Sequence, residues 1–287
     1  MTLAAALRDR DVAQLPSRRD EDWRWTDLRA LIRELPAPSP TAAAPAKPGP
    51  FGDLGETEIL VVNGRTLGDE ALLRLAPGET RIVRLRFVSA TAATAHGASL
   101  SISLGAGARL TLLESYEGLA ASYLADANLA ITLAEDAVLE RIILAQDDED
   151  AVSVSTATVD LAPRARLAQT TLTTGAKRQR LETRVTHPGC DAAVRMDGAY
   201  RVRGRGHADL TSSVNHAGTD GTTDQLIKGV VDDQARAVFQ GRITVSPGAD
   251  RTDARMGHHA LVLSDRAEVD AKPELLIFAD DVACAHG

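Results

Sequence analysis

Cys284 and His286 are the residues of this chain best suited to hold a transition metal, because a thiol and an imidazole two positions apart fall on one face of an extended strand. Neutral imidazole and thiolate both suit iron. Two donors leave a coordination sphere incomplete. The one other cysteine, Cys190, lies far away in sequence, so the chain cannot supply the four thiolates of an ordinary iron-sulfur site. Each residue also has a plainer reading, Cys284 as a small buried hydrophobe and His286 as a histidine bonded at a corner, and the sequence leaves both open. Cys190, in His187-Pro188-Gly189-Cys190, lacks a neighbouring Cys-His pair and reads as corner packing.

Other chemistry is thin. The acidic run Asp147-Asp148-Glu149-Asp150 reads as a solvated connection, and Arg201, Arg203 and Arg205 as a solvated face. A net charge of −8 argues against a surface that tracks nucleic-acid phosphates. Trp23 and Trp25 read as packing anchors. No Gly-x-x-x-x-Gly-Lys-Ser/Thr motif occurs, so ATP hydrolysis is not expected of this chain. Two cysteines rule out a disulfide-stapled scaffold and fit a reducing compartment. The apolar start Met1 to Leu7 runs at once into Arg8-Asp9-Arg10-Asp11, too short for a signal peptide, and no stretch approaches a membrane span. A cytoplasmic location is expected.

The elements that position Cys284 and His286 are strands. Leu275, Ile277 and Ala279 alternate with Leu276 and Phe278 as in a strand covered on both faces, and Asp280-Asp281 supplies a corner before the Cys-x-His pair. The same grammar runs back through Ile59 to Val62, Ile82 to Leu85, Leu100 to Leu104, Leu129 to Leu133 and Val138 to Leu144, each closed by Gly, Asp, Pro or Asn. Arg109, Val138, Arg166 and Ala193 follow such corners at a step of about 28 residues, a period that signals stacked repeats. Later corners at Asp232, Pro247 and Ser264 come at roughly half that step, as if both corners of each coil share the pattern. Only 3% of residues are aromatic, and small aliphatics suit a narrow coil. The expectation is an all-β protein, a right-handed parallel β-helix with a short N-terminal helical segment. An antiparallel sandwich is the competing fold.

Residues 1–35 should be helical, with Leu3, Leu7, Leu15, Leu28, Leu31, Ile32 and Leu35 in one apolar stripe, a break at Pro16-Ser17, and Ser17 or Thr26 as a cap. Residues 36–50 form a Pro/Ala-rich linker and 51–287 the β-helix core.

The terminal pattern Ala-x-Val-x-x-x-Pro-x-Leu-x-Ile-x-Ala-Asp-Asp-Val-x-Cys-x-His-Gly, from Ala267 to Gly287, resembles the hallmark of the SufB/SufD superfamily of the SUF iron-sulfur assembly system. Leu226 to Asp233, Ala237 to Val245 and Thr252-Asp253-Ala254 are similar to the same superfamily's core. Ser17 to Leu28 is similar to its Arg-x-Glu-x-Trp-x-x-Thr-x-Leu opening segment.

The resemblance, closest to the SufD branch, implies a non-catalytic scaffold that pairs with SufB and docks the ATPase SufC. It places His286 near the SufB interface, with Cys284 beside it, as candidate ligands for transient iron or a nascent Fe-S cluster completed by SufB. It implies no cofactor bound by the chain alone, a homodimer as the candidate state in isolation, and neither nucleic acid nor membrane as a partner. Two departures stand out. Arg255-Met256-Gly257-His258-His259-Ala260 replaces a Gln- and Asn-rich run, and His258 and His259 should point to opposite faces. The family also continues through further β-helix and a C-terminal helical region that contacts SufC, so a shortened chain is expected. Two other functions fit such a coil: a polysaccharide-active enzyme, which needs clustered carboxylates or Arg and Lys in a groove, and a purely structural solenoid dimer.

Overall fold

Strands of about ten residues wind into two facing sheets, and almost every strand pairs in parallel with the strand one full turn away. The computed structural model describes residues 1–67, 72–187 and 190–287. Among these, one sheet takes its order through Thr94–Leu104, Leu124–Leu133, Val152–Leu161, Arg178–His187, His207–His216, Arg236–Val245 and Glu268–Ile277. The other runs from Thr57–Val62 through Thr80–Ser89, Arg109–Gly118, Val138–Gln146, Arg166–Thr173, Ala193–Val202, Thr222–Val231 and Thr252–Val262 to Val282–His286. The result is a parallel β-helix of about 8 turns, not a sandwich. Its crossovers are of the kind that is almost always right-handed.

Alternation makes the core. In Arg166–Thr173 every second residue is buried, and Leu167, Gln169, Thr171 and Thr173 face the interior. The repeat read from the sequence is the register itself: Arg109 pairs with Val138, Val138 with Arg166, and Arg166 with Ala193. The half-step corners also fall as expected, one on each side of the strand Arg236–Val245. The strands extend beyond the apolar runs that announced them, because parallel pairing continues through polar residues such as Ser153 and Ser155.

One corner type repeats along the stack. Asp136, Arg164, Asp191, Asp220 and Arg251 adopt left-handed backbone with φ of 56 to 60°. Each N–H donates to a carbonyl of the next corner, those of Pro163, Cys190, Thr219, Asp250 and Asp281 respectively. Aspartate tolerates this conformation, whereas arginine meets a steric penalty there. The two arginines are anchored across the stack, Arg164 to Asp136 at 2.8 Å and Arg251 to Asp220 at 2.5 Å. Ala137, Ala165 and Ala192 fill the inner side of three of these corners, and Ala108 that of the equivalent corner at Gly107, where a larger side chain would not fit between rungs.

The N-terminal residues are helical in short pieces: Leu3–Asp9, single turns at Val12–Gln14 and Glu21–Trp23, and Leu28–Leu31. The predicted stripe packs as one cluster on the outer face of the first sheet, with Leu3, Leu15, Leu28 and Leu35 buried against Ala95, Leu124, Val152 and Val154. Each such leucine contributes about 1.5–3 kcal/mol. The cap is neither Ser17 nor Thr26. Asp27 accepts the Ala30 N–H at 2.8 Å, while the Thr26 hydroxyl donates to the buried Asp209 carboxylate. A carboxylate next to the first turn is the better acceptor for its free N–H groups. Further on, Ala37–Pro38 pairs in parallel with Thr94–Ala95.

Candidate functional site

Cys284 and His286 sit on the last rung of the coil, in the strand Val282–His286. That strand pairs with the previous rung so that Cys284 lies beside Ala254 and His286 beside Met256. Ala254 and Met256 are buried in the core, so the thiol and the imidazole occupy inward-facing positions. Cys284 is half-buried and packs on the core cluster, whereas His286 is exposed because no further rung covers it among the described residues. The Gly287 N–H donates to the Met256 carbonyl, and the His258 N–H to the Gly287 carbonyl, both at 2.9 Å. These bonds fix the backbone immediately after the imidazole.

The thiol is not primed. Burial pushes its pKa up, and nearby Asp253 adds to the shift. It would bind metal only as the thiolate, its proton passing to water or a nearby base as the metal ion takes its place on sulfur. Among the described residues, no group of three or more His, Cys, Asp or Glu side chains could enclose a metal ion. The chain therefore presents two donors.

His286 also ends a column that the sequence did not reveal. Stepping back one rung at a time, the positions in register are Met256, Gln225, Met196, Gln169 and Arg141. Polar residues thus line part of the interior. Arg141, 1% exposed, donates to both oxygens of buried Glu114 at 2.7 and 2.8 Å and to Gln169 at 2.9 Å. Burial opposes the guanidinium charge, yet Glu114 outweighs it and holds the Arg141 pKa above its ordinary value. Tyr116 donates to Glu114 at 2.6 Å, and Gln225 exchanges hydrogen bonds with Ser212. A cavity of about 30 Å³ lies among Arg141, Gln169, Thr183, Ser212 and Gln225, enough for roughly one water. Only the inward phase of the strand alternation could have flagged Arg141, since Glu140 beside it points to solvent.

Around the last rung the expected covering is incomplete. Leu275 and Ala279 pack inward as read from the sequence, but Leu276, Ile277 and Phe278 stay exposed, Phe278 at 63%. The strand is covered on one face, not two: its outer side meets the N-terminal segment at Lys272, which reaches Glu21, but no described residue packs on Leu276 and Phe278, and none lies over Ile277, which continues the inward column of Val245. Leu261, Val262 and Leu263 on the preceding rung are exposed as well. His258 and His259 diverge as expected. His258 stacks on Phe239 with ring centroids 4.9 Å apart and shares a 3.0 Å hydrogen bond with Tyr200, and His259 is exposed.

The remaining sequence candidates separate clearly. Cys190 is exposed, and its carbonyl serves a corner by accepting the Arg164 N–H at 2.8 Å. Pro188 and Gly189 lie outside the described residues. His187 faces the interior against His216, ring centroids 3.9 Å apart, a buried pair with no signal in the residue pattern. Trp23 packs on the N-terminal cluster with the Arg180 guanidinium 4.4 Å above its ring. The acidic run is only partly solvated, since Asp147 accepts from Tyr123 at 2.6 Å and from Gln179 at 2.7 Å. It braces a corner there.

Residues 87–287 match the family model described as "SUF system FeS cluster assembly, SufBD core domain". The chain belongs to the SufBD core family. An iron-sulfur cluster assembly SufBD family protein of Synechocystis is 30% identical over 189 residues, 63% of this chain and 42% of that protein. The iron-sulfur cluster assembly protein SufD of Escherichia coli is 30% identical over 187 residues, 65% of this chain and 44% of its own length. SufD of Bacillus subtilis is 35% identical over 97 residues, 31% of this chain and 22% of that protein. The chain thus spans less than half the length of these SufBD relatives. The matched core takes in the repeated rungs and the terminal Cys-x-His rung. No helix among the described residues is long and apolar enough to cross a membrane.

Proposed function

We propose that this chain is a non-catalytic scaffold subunit for iron-sulfur cluster assembly, pairing with SufB and the ATPase SufC in the cytoplasm. What carries the reading is a thiol and an imidazole able to bind metal, set in neighbouring inward positions of one strand within the matched SufBD core. Donors from a partner chain would complete what Cys284 and His286 begin. Iron and sulfide are cargo in this scheme. The relatives named above are assembly proteins, which supports the same reading.

The test is co-expression with SufB and SufC, with iron and acid-labile sulfide measured on the purified complex. His286→Ala should leave the complex assembled and lower its cluster content several-fold. Full cluster content in that variant would remove His286 from the scheme, and failure of the three chains to copurify would remove the scaffold role.

A further inference from the structure

The basic cluster Arg201, Arg203 and Arg205 does more than face solvent. It borders a cleft of about 1070 Å³ on the opposite corners of the coil, together with Lys177 and Arg178 from the rung before. The two corners are stitched together by Ala176 and His207, which exchange backbone hydrogen bonds of 2.7 and 3.2 Å. Five cations therefore share one wall.

Their pairing sets them apart. Arginines elsewhere in the coil commonly sit on carboxylates, as Arg86, Arg141, Arg164, Arg180, Arg236 and Arg251 do. Among the described residues, none of Lys177, Arg178, Arg201, Arg203 and Arg205 has a carboxylate within 4 Å. Arg178 is half-buried, and its recorded side-chain bond is to the neighbouring Lys177 carbonyl at 2.9 Å. Burial lowers its pKa, Arg236 adds to the shift, and the more distant Asp27 carboxylate offsets it only in part. A desolvated, unpaired guanidinium facing a cleft is a group waiting for an anion.

The flanking rungs limit what that anion can be. Glu149 and Asp150 edge the cleft on one side and Asp233 on the other. Asp233 is already engaged by the Gly204 N–H at 2.9 Å, and Asp147 by Tyr123 and Gln179. Rungs stack at about 4.8 Å, so the basic band is roughly 10 Å wide between acidic borders. A polyanion such as a nucleic acid would run off this band onto carboxylates. A compact, multiply charged anion would not.

We infer that this cleft is a binding site for a diphosphate-bearing small molecule, held by Arg178, Arg201, Arg203 and Arg205. The volume admits a metabolite of nucleotide size. This site is separate from the last rung and does not depend on the role proposed for it.

Titration calorimetry with inorganic pyrophosphate at low salt tests it on the chain as described. One-to-one binding is expected, weakened at least about tenfold in Arg178→Gln and more in the triple variant R201Q/R203Q/R205Q. These side chains are exposed or half-buried and unpaired, so circular dichroism should be unchanged; Arg255→Gln, outside the cleft, should bind as the parent does. No binding by the parent, equal binding by the triple variant, or tighter binding of a single-stranded oligonucleotide than of pyrophosphate would each overturn the assignment.

Discussion

The middle rungs and the last rung use the same interior column for opposite ends. At Arg141 a charge is sealed in by Glu114, Gln169 and Tyr116 chemistry and faces no solvent, whereas at His286, five rungs along in register, the side chain is open. Geometry of the strand is alike in both places. What differs, among the described residues, is whether a further rung lies on top. A solenoid position thus becomes structural or available for chemistry according to its place in the stack, which is why the residue type alone does not decide its role.

The sharpest way to probe that contrast is acid. Burial pushes the pKa of His96, His187 and His207 down to about 4 and that of His216 to about 3. The unfolded chain takes up these protons below about pH 6.5, while the folded chain does not until near pH 4. Stability contributed by these neutral imidazoles is therefore full above pH 6.5 and falls as pH drops, by up to about 1.4 kcal/mol per pH unit for each histidine. Urea midpoints should decline steeply from pH 7 to pH 5. A flat profile would mean that the middle rungs admit water and the contrast is false.

Arg141→Met comes next. It strands Glu114 in the interior and should cost about 3–5 kcal/mol in chemical denaturation, with partial recovery when Glu114→Leu is added. Gly229→Ala should have a smaller effect. A Cβ there would lie 1.9 Å from the Tyr200 ring, which must move and loosen its bond to His258 two rungs on, at about 1–3 kcal/mol in thermal melts. The least effect on stability belongs to His286→Ala, within about 0.5 kcal/mol, because an exposed side chain without packing contributes little to the fold. A loss as large as that of Arg141→Met would place His286 in the structural class.

Much of the coil was legible because its period is physical: Arg109, Val138, Arg166 and Ala193 recur in sequence because they are neighbours in one ladder. Cys284 and His286 could be placed on one face for the same reason. The polar interior was not legible. Glu140 and Arg141 look equivalent on the page, and only the phase of the strand sends one to solvent and the other into a sealed ion pair. The cap at Asp27 escaped because Thr26, also an accepted cap by residue type, is drawn away by Asp209, a partner far along the chain. The exposed outer face at Phe278 escaped too, since an apolar run does not announce whether a neighbour will cover it.

The N-terminal segment has a mechanical consequence for the whole coil. Rungs that touch only their neighbours can fray from an end one at a time. Here Leu3, Leu15 and Leu28 grip early rungs, the Asp22 carbonyl accepts from Arg180 and Gln240, and Glu21 reaches Lys272 at 2.7 Å. A strap laid lengthwise across the stack makes peeling the last turns also loosen the first residues, so the coil should come apart as a unit instead of unravelling like thread from a spool.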